Sequence, residues 1–163
     1  MHKVLRHLAL FLILASLASA SFAQQKQPTE SAMSRFLRYI KIDTQSVEEA
    51  GKVPSSEKQL VLARLLEKEL KDLNMLDVRI SEHGIVYAYM PSNLGDSSKV
   101  VTIGLIAHMD TSPAVSGADV NAIIHKNYQG GDIVLPNDKS LVITVAQNPD
   151  LKNMLGDDII TAD

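Results

Sequence analysis

The 163-residue sequence contains no cysteine. Disulfide frameworks and thiolate zinc sites are therefore excluded, and any metal must be bound by His, Asp or Glu. An excess of basic charge is also absent. Without Lys3 and Arg6 of the N-terminal segment, the 16 Lys and Arg residues fall to 14 against 19 acidic ones, a formal charge near −5. No basic surface for nucleic acid is implied.

The N-terminal segment has the pattern of a secretory signal peptide. Basic residues precede an apolar run from Leu8 to Ala18, and Ser21 and Ala23 place small residues at the positions that specify cleavage. A membrane anchor is the alternative, but it needs about 20 apolar residues and the serines interrupt this run too early. We expect residues 1–23 to be removed, leaving a protein exported across the inner membrane to the periplasm, with no membrane attachment.

After the signal peptide, residues 24–32 are polar, contain Pro28 and read as a flexible lead. The remaining residues, 33–163, are predicted to form part of one domain. Apolar residues at three- and four-residue spacing predict a first helix within 29–42. A second helix is predicted from a capping-box pair, Ser56 and Gln59, followed by a stripe of leucines that forms core, namely Leu62, Leu65, Leu66, Leu70 and Leu73.

The pattern then changes from helical to alternating. Residues 76–80 and 85–90 predict two antiparallel strands joined by a turn at His83-Gly84. Residues 100–107 are almost continuously apolar, which predicts a strand buried on both faces in the middle of a sheet. Shorter strands are expected within 132–135, 141–145 and 158–161. The fold class is therefore α/β, a mixed β-sheet with covering helices.

His108 and Asp110 follow the predicted buried strand directly, at the strand end where α/β folds place ligand sites. A bend there could bring the Asp110 carboxylate to the His108 ring, so that the acid fixes the tautomer and orients the histidine toward a metal. The alternative is that His108 merely ends the strand as a hydrogen-bonded histidine. The tripeptide alone is a weak motif.

The surrounding residues extend the motif. Residues 103–113, Ile-Gly-Leu-Ile-Ala-His-Met-Asp-Thr-Ser-Pro, resemble the strand and loop that carry the first metal ligand in co-catalytic di-zinc aminopeptidases and deacylases. Residues 127–133, Asn-Tyr-Gln-Gly-Gly-Asp-Ile, closely resemble a segment of the peptidase T family, the tripeptide aminopeptidases, and residues 43–46 and 53–56 resemble its first interhelical loop. The resemblance covers residues 33–163, in the N-terminal portion of the family's catalytic domain.

The resemblance implies an exported metallopeptidase that binds two zinc ions and releases the N-terminal residue of tripeptides. By position, His108 matches a ligand to one zinc, and Asp110 matches the catalytic-site acid that orients this histidine. The bridging aspartate, the glutamate pair with the general base and the other ligands are expected beyond Asp163. No substrate-binding residue is assigned, and the oligomeric state is left open.

Other polar residues have a plainer interpretation. Asp157 and Asp158 could substitute as ligands, but they resemble the segment before the bridging motif and are interpreted as solvated turn acids. His83, in the hairpin turn, and His125, in a polar loop, are interpreted as surface residues. Residues 121–131 could be a structural loop in which Gly130-Gly131 adopts positive φ, and a role near substrate is unassigned.

Three hypotheses follow for the chain as a whole. It is an incomplete piece of an exported aminopeptidase, an enzyme completed by another chain, or a non-catalytic binding or structural remnant. A catalytic zinc site needs three protein ligands and an open position, whereas the resemblance supplies one ligand and its orienting acid. We therefore favour the first hypothesis and expect these 163 residues to be inactive alone.

Overall fold

The computed structural model describes residues 26–94, 96 and 99–162. The predicted signal peptide lies outside the described residues, as does the start of the flexible lead. No helix in the described ranges is long and apolar enough to cross a membrane. In chain order the elements are α1 (Ala32–Tyr39), α2 (Gln59–Asp72), β1 (Leu76–Ile80), β2 (Val86–Tyr89), β3 (Ala122–His125), β4 (Ile133–Val134), β5 (Val142–Ile143), a 3₁₀ turn (Pro149–Asn153) and β6 (Ile159–Ala162).

Helix α1 confirms the centre of the first predicted helix and is shorter at both ends. Ser31 caps it, because its hydroxyl accepts the backbone N–H of Ser34 at 3.1 Å. Arg38 in the last turn pairs with Glu69 of α2 at 2.5 Å, and the Tyr39 hydroxyl donates to the same carboxylate. Burial of Tyr39, followed by its contact with Glu69, raises the pKa of its hydroxyl. The two helices are thus joined by a shared carboxylate.

Helix α2 confirms the second predicted helix, but the predicted capping box is wrong. The helix begins at Gln59 after Lys58, and no side chain caps it. The Gln59 carboxamide instead donates to the hydroxyl of Ser55 at 3.1 Å. It is therefore engaged by the preceding loop and does not reach back to Ser56. Of the predicted leucine stripe, Leu62 is buried and the other four leucines are partly buried.

The hairpin β1–β2 confirms the predicted strands and turn, with Gly84 at a φ of 76°. A bulge at Asp77, whose φ is 50°, inserts one extra residue opposite β2. Leu76 is therefore exposed, although alternation alone predicted the same face as Val78. The turn lies against α2, because a Cβ at Gly84 would meet the Leu60 side chain at 3.2 Å.

The second half of the chain contains two further antiparallel pairs, β3 with β6 and β4 with β5. Strands β4, β5 and β6 confirm the three short predicted strands. Strand β3 lies within residues 121–131, which the sequence suggests could be a structural loop, so the structure differs there. A small core of Tyr128, Ile133 and Leu151 lies between these pairs. Helices and strands both occur, as an α/β class requires, but the described residues form only two-stranded antiparallel sheets.

The predicted central strand at residues 100–107 is not formed in the structure. These residues have no assigned strand and are exposed, Leu105 at 94% and Ile106 at 99%. A strand buried on both faces needs hydrogen-bonding neighbours and a covering layer on each side. No strand within the described ranges pairs with this segment. The apolar side chains of this segment favour burial, but no other part of the described chain covers them.

We predict that Leu105→Ser changes the unfolding free energy of the chain by less than about 0.5 kcal/mol, because exposed side chains lose little on truncation. The matched control is Leu62→Ala, in which a buried side chain is removed. It is expected to lower the unfolding free energy by about 2–5 kcal/mol. Urea unfolding of both variants measures the difference. A loss for Leu105→Ser as large as that for Leu62→Ala would contradict the exposed position.

Candidate functional site

The segment that carries His108 and Asp110 is joined to the first interhelical loop. Gln45 and Thr111 form a parallel β-bridge. The Ser46 backbone N–H donates to the Thr111 carbonyl at 3.0 Å, and the Thr111 N–H donates to the Thr44 carbonyl at 3.3 Å. The segment that resembles the metal-ligand loop of di-zinc aminopeptidases and the segment that resembles the first interhelical loop of peptidase T, far apart in the chain, therefore meet in the structure.

Side chains reinforce this contact. The Gln45 carboxamide donates to the carbonyls of Val115 at 2.7 Å and Pro113 at 3.3 Å. Asp43 accepts the Gln45 N–H at 3.0 Å with one oxygen and pairs with Lys58 at 2.6 Å through the other. Lys58, followed by the Gln45 N–H, holds the pKa of Asp43 below its ordinary value. The loop is thus fixed by several independent hydrogen bonds.

His108 and Asp110 lie together as the sequence predicted. The ring atom Nδ1 is 3.0 Å from the backbone carbonyl of Asp110 and 3.2 Å from its carboxylate Oδ1. Both partners are acceptors when the carboxyl is ionised, so Nδ1 must carry the proton. The other nitrogen, Nε2, then presents a lone pair from a side chain that is 86% exposed. This is the tautomer a metal-binding histidine needs, and the ligand role itself stays a prediction.

Ser46 is the site residue that the sequence analysis missed. Its hydroxyl donates to Oδ2 of Asp110 at 2.5 Å. This hydrogen bond lowers the pKa of Asp110, with a smaller lowering from His108, while partial burial acts in the opposite direction. The carboxylate is therefore ionised at neutral pH. The available signal was the position of Ser46 within the resembling segment 43–46, but no sequence pattern joins it to Asp110.

The fit of a metal to these residues is partial. Within the described part of the chain, no three His, Asp or Glu side chains lie close enough together to hold a metal ion. His108 fits one ligand position, because its Nδ1 is engaged by Asp110 and its Nε2 is open. The described residues therefore supply one donor and its orienting acid, and do not form a metal site by themselves.

The other histidines are placed away from this chemistry. His83 is exposed in the hairpin turn, beside Glu82 at 3.6 Å, as the sequence predicted. The prediction that His125 lies in a loop is wrong, because it is the last residue of β3 and is partly buried. Its Nε2 lies 2.9 Å from the Thr161 hydroxyl on β6. This contact gives His125 a structural role within a strand pair.

Asp157 and Asp158 are exposed turn acids, as interpreted from the sequence. Asp158 pairs with Lys126 at 2.5 Å and accepts the backbone N–H of Asn127 at 3.0 Å. Lys126, followed by that N–H, lowers the pKa of the Asp158 carboxyl. Both oxygens of Asp158 therefore bind residues of the neighbouring segment, and these contacts favour a structural role over a metal-binding one.

The segment 127–133 has structural contacts throughout. Gly130 and Gly131 adopt the predicted positive φ, at 93° and 88°. The Tyr128 hydroxyl donates to the Gly131 carbonyl, and Asp132 accepts the Val145 N–H at 2.8 Å. These contacts favour the structural interpretation of this loop.

Comparison with known proteins finds similarity over most of this chain. The chain is 50% identical over 133 residues to peptidase T of Desulfitobacterium hafniense, a match that covers 82% of this chain. It is 44% identical over 134 residues to peptidase T of Clostridium acetobutylicum, and 46% identical over 129 residues to that of Caldanaerobacter subterraneus. The chain is homologous to the N-terminal portion of peptidase T.

The homology is limited in extent. The chain spans about a third of the length of these peptidase T relatives, 32% of the first two and 31% of the third. No protein-family model matches the chain. The match includes 82% of the residues of this chain, so the peptidase T relation extends well beyond the His-x-Asp tripeptide.

The contact between the two loops can be tested at Gly117. A Cβ there would lie 2.8 Å from the Thr111 hydroxyl and 3.2 Å from the Asp43 carboxylate. We predict that Gly117→Ala pushes the loops apart and lowers the unfolding free energy by about 1–3 kcal/mol. Amide hydrogen exchange at Ser46 and Thr111 should become faster.

The matched control is Gly104→Ala, since a Cβ at Gly104 meets no atom within 4 Å and its φ is not in the left-handed region. We expect this variant to stay within about 0.5 kcal/mol of the original chain. Unchanged exchange at both amides in Gly117→Ala would show that the loops are not packed as described.

Proposed function

We propose that this chain forms the N-terminal part of a zinc-dependent aminopeptidase that releases the N-terminal residue of tripeptides. The observation that carries the proposal is the His108–Asp110 pair, with Nδ1 held by the acid and Nε2 open. In the proposed complete domain, residues 100–107 form a strand of a mixed sheet covered by helices. The remaining ligands and the general base come from the part of a peptidase T that this chain does not span.

The geometry of the His108–Asp110 pair supports the proposed roles. His108 would hold one of two zinc ions through its Nε2 lone pair, and Asp110 would hold the ring and increase its basicity. Zinc bound there would supply Lewis acidity to the reaction. Alone, the described residues offer one donor where three are needed. Purified chain should therefore bind no stoichiometric zinc in equilibrium dialysis and should leave tripeptides intact.

A chimaera tests the function. The 133 matched residues of Desulfitobacterium hafniense peptidase T are replaced by those of this chain, at 50% identity. We predict zinc-dependent release of the N-terminal residue from a tripeptide, lost on His108→Ala because a ligand is removed. Asp110→Ala should lower kcat/KM by about 10–100-fold, as other partners of metal-bound histidines do. Amino-acid release, followed by chromatography, measures both.

His83→Ala is the matched control, because His83 is exposed in a hairpin turn and should leave the rate unchanged. A folded chimaera that leaves tripeptides intact, or one whose rate survives His108→Ala, would contradict the proposal. The second result would favour the remnant hypothesis, in which these residues contribute structure and no chemistry.

We also propose export to the periplasm, supported by the sequence of residues 1–23. Expression in a Gram-negative host should give a mature product beginning at Gln24, identified by intact mass. Ala23→Lys should block cleavage, because a small residue is needed before the cleaved bond. Recovery of the original chain with Met1 still attached would sink the export proposal.

A further inference from the structure

Ser46 occupies a position that the function proposed above does not use. Asp110 is held at both carboxylate oxygens, since Oδ2 accepts the Ser46 hydroxyl at 2.5 Å and Oδ1 lies 3.2 Å from Nδ1 of His108. We propose that Ser46 is a positioning residue: it fixes the Asp110 carboxylate and thereby holds His108 in its Nδ1–H tautomer, with Nε2 open.

The backbone places Ser46 for this role. Its N–H donates to the Thr111 carbonyl at 3.0 Å, directly after Asp110 in the chain. The serine side chain is therefore carried on the same bridge that fixes the segment it contacts. A hydroxyl on a mobile loop would lose this position, whereas one beside a paired backbone keeps it.

Gln59 supports the serine from the other side. Its side chain is among the few buried polar groups in the described part of the chain, at 7% exposure. The carboxamide donates to the Ser55 hydroxyl at 3.1 Å and makes a longer contact of 3.5 Å with the Ser46 hydroxyl. An amide N–H can only donate, so the Ser46 oxygen is the acceptor and its proton is directed to Asp110. This long contact with the first residue of α2 is compatible with a Ser46 hydroxyl that donates to Asp110.

The need for such support comes from the exposure of His108. A ring that is 86% exposed is not fixed by packing, so its tautomer depends on the polar contacts of Nδ1, which are the Asp110 backbone carbonyl at 3.0 Å and the Asp110 carboxylate at 3.2 Å. A free histidine side chain in water favours the proton on Nε2, the opposite tautomer. Asp110 is itself 47% exposed and would rotate in solvent without a second restraint. Ser46 supplies that restraint.

The tautomer can be measured without metal or activity. Two-bond proton–nitrogen correlation spectra of the ¹⁵N-labelled chain at pH 8 distinguish Nδ1–H from Nε2–H. We expect His108 mainly as Nδ1–H and exposed His83 mainly as Nε2–H. Ser46→Ala should lower the Nδ1–H to Nε2–H ratio of His108 about two- to tenfold, the effect of one hydrogen bond, and Ser46→Thr should restore it.

Ser116→Ala is the matched control, because the Ser116 hydroxyl accepts only the nearby Ala118 N–H at 3.2 Å among the described residues. Amide exchange at Thr111 shows whether the loop contact survives in each variant. An unchanged His108 ratio in Ser46→Ala would overturn the proposal. If Ser46→Ala loses the loop contact, Ser46→Thr decides, since loss of the Nδ1–H tautomer in this folded variant would equally overturn it.

The relevance of this tautomer to zinc binding and peptide hydrolysis rests on the proposed function. The measurement of the tautomer by its spectrum does not depend on that function. In the chimaera, Ser46→Ala should lower kcat/KM by at most the same factor of about two- to tenfold, with rescue by Ser46→Thr. If the chimaera is inactive but the spectra are as expected, the proposed peptidase function is contradicted and the positioning role of Ser46 is supported. If the chimaera is active but the His108 tautomer ratio is unchanged in Ser46→Ala, the peptidase function is supported and the positioning role is contradicted.

Discussion

The candidate site depends on the backbone contact between Thr111 and the loop at Thr44–Ser46. Closing such a long loop costs conformational entropy, although the cost grows only slowly with loop length. Two backbone hydrogen bonds offset part of it, and the Gln45 side chain adds contacts to two carbonyls beyond Thr111. Without this contact Asp110 would lose its serine partner, and His108 would be an exposed ring beside an equally exposed carboxylate.

The restraint on His108 is one-sided. After it, Asp110 and Thr111 are tied to the first loop, whereas the residues before it, 100–107, are exposed and have no strand partner among the described residues. Their apolar composition is typical of a strand covered on both faces. Stiffness at His108 therefore comes from polar contacts on its C-terminal side. This arrangement explains why a single hydroxyl, that of Ser46, has so much influence on the geometry.

Local patterns predicted the elements that local forces form. The α1 and α2 helices, the hairpin and three short strands follow from periodicity and turn residues, and the positive φ of Gly130 follows from its lack of a Cβ. The patterns failed where a distant partner decides. Residues 100–107 have the right sequence for a buried strand but no strand partner among the described residues, and the Gln59 side chain contacts the hydroxyls of Ser55 and Ser46 and does not form its predicted cap.

The same distinction separates the motifs that resemble peptidase T. The polar side chains of residues 127–133 have structural partners. The Tyr128 hydroxyl donates to the Gly131 carbonyl, and the Asp132 carboxylate accepts the Val145 N–H. In residues 43–46, Asp43 and Gln45 also hold backbone, but Ser46 turns its hydroxyl to a residue of the candidate site. Sequence similarity alone does not separate segments with a structural role from segments with a role in the candidate site, because either role can keep a sequence similar between relatives. The hydrogen-bond partners do separate them. The hydroxyl of Ser46 contacts Asp110, which in turn contacts His108, so Ser46 belongs to the candidate site.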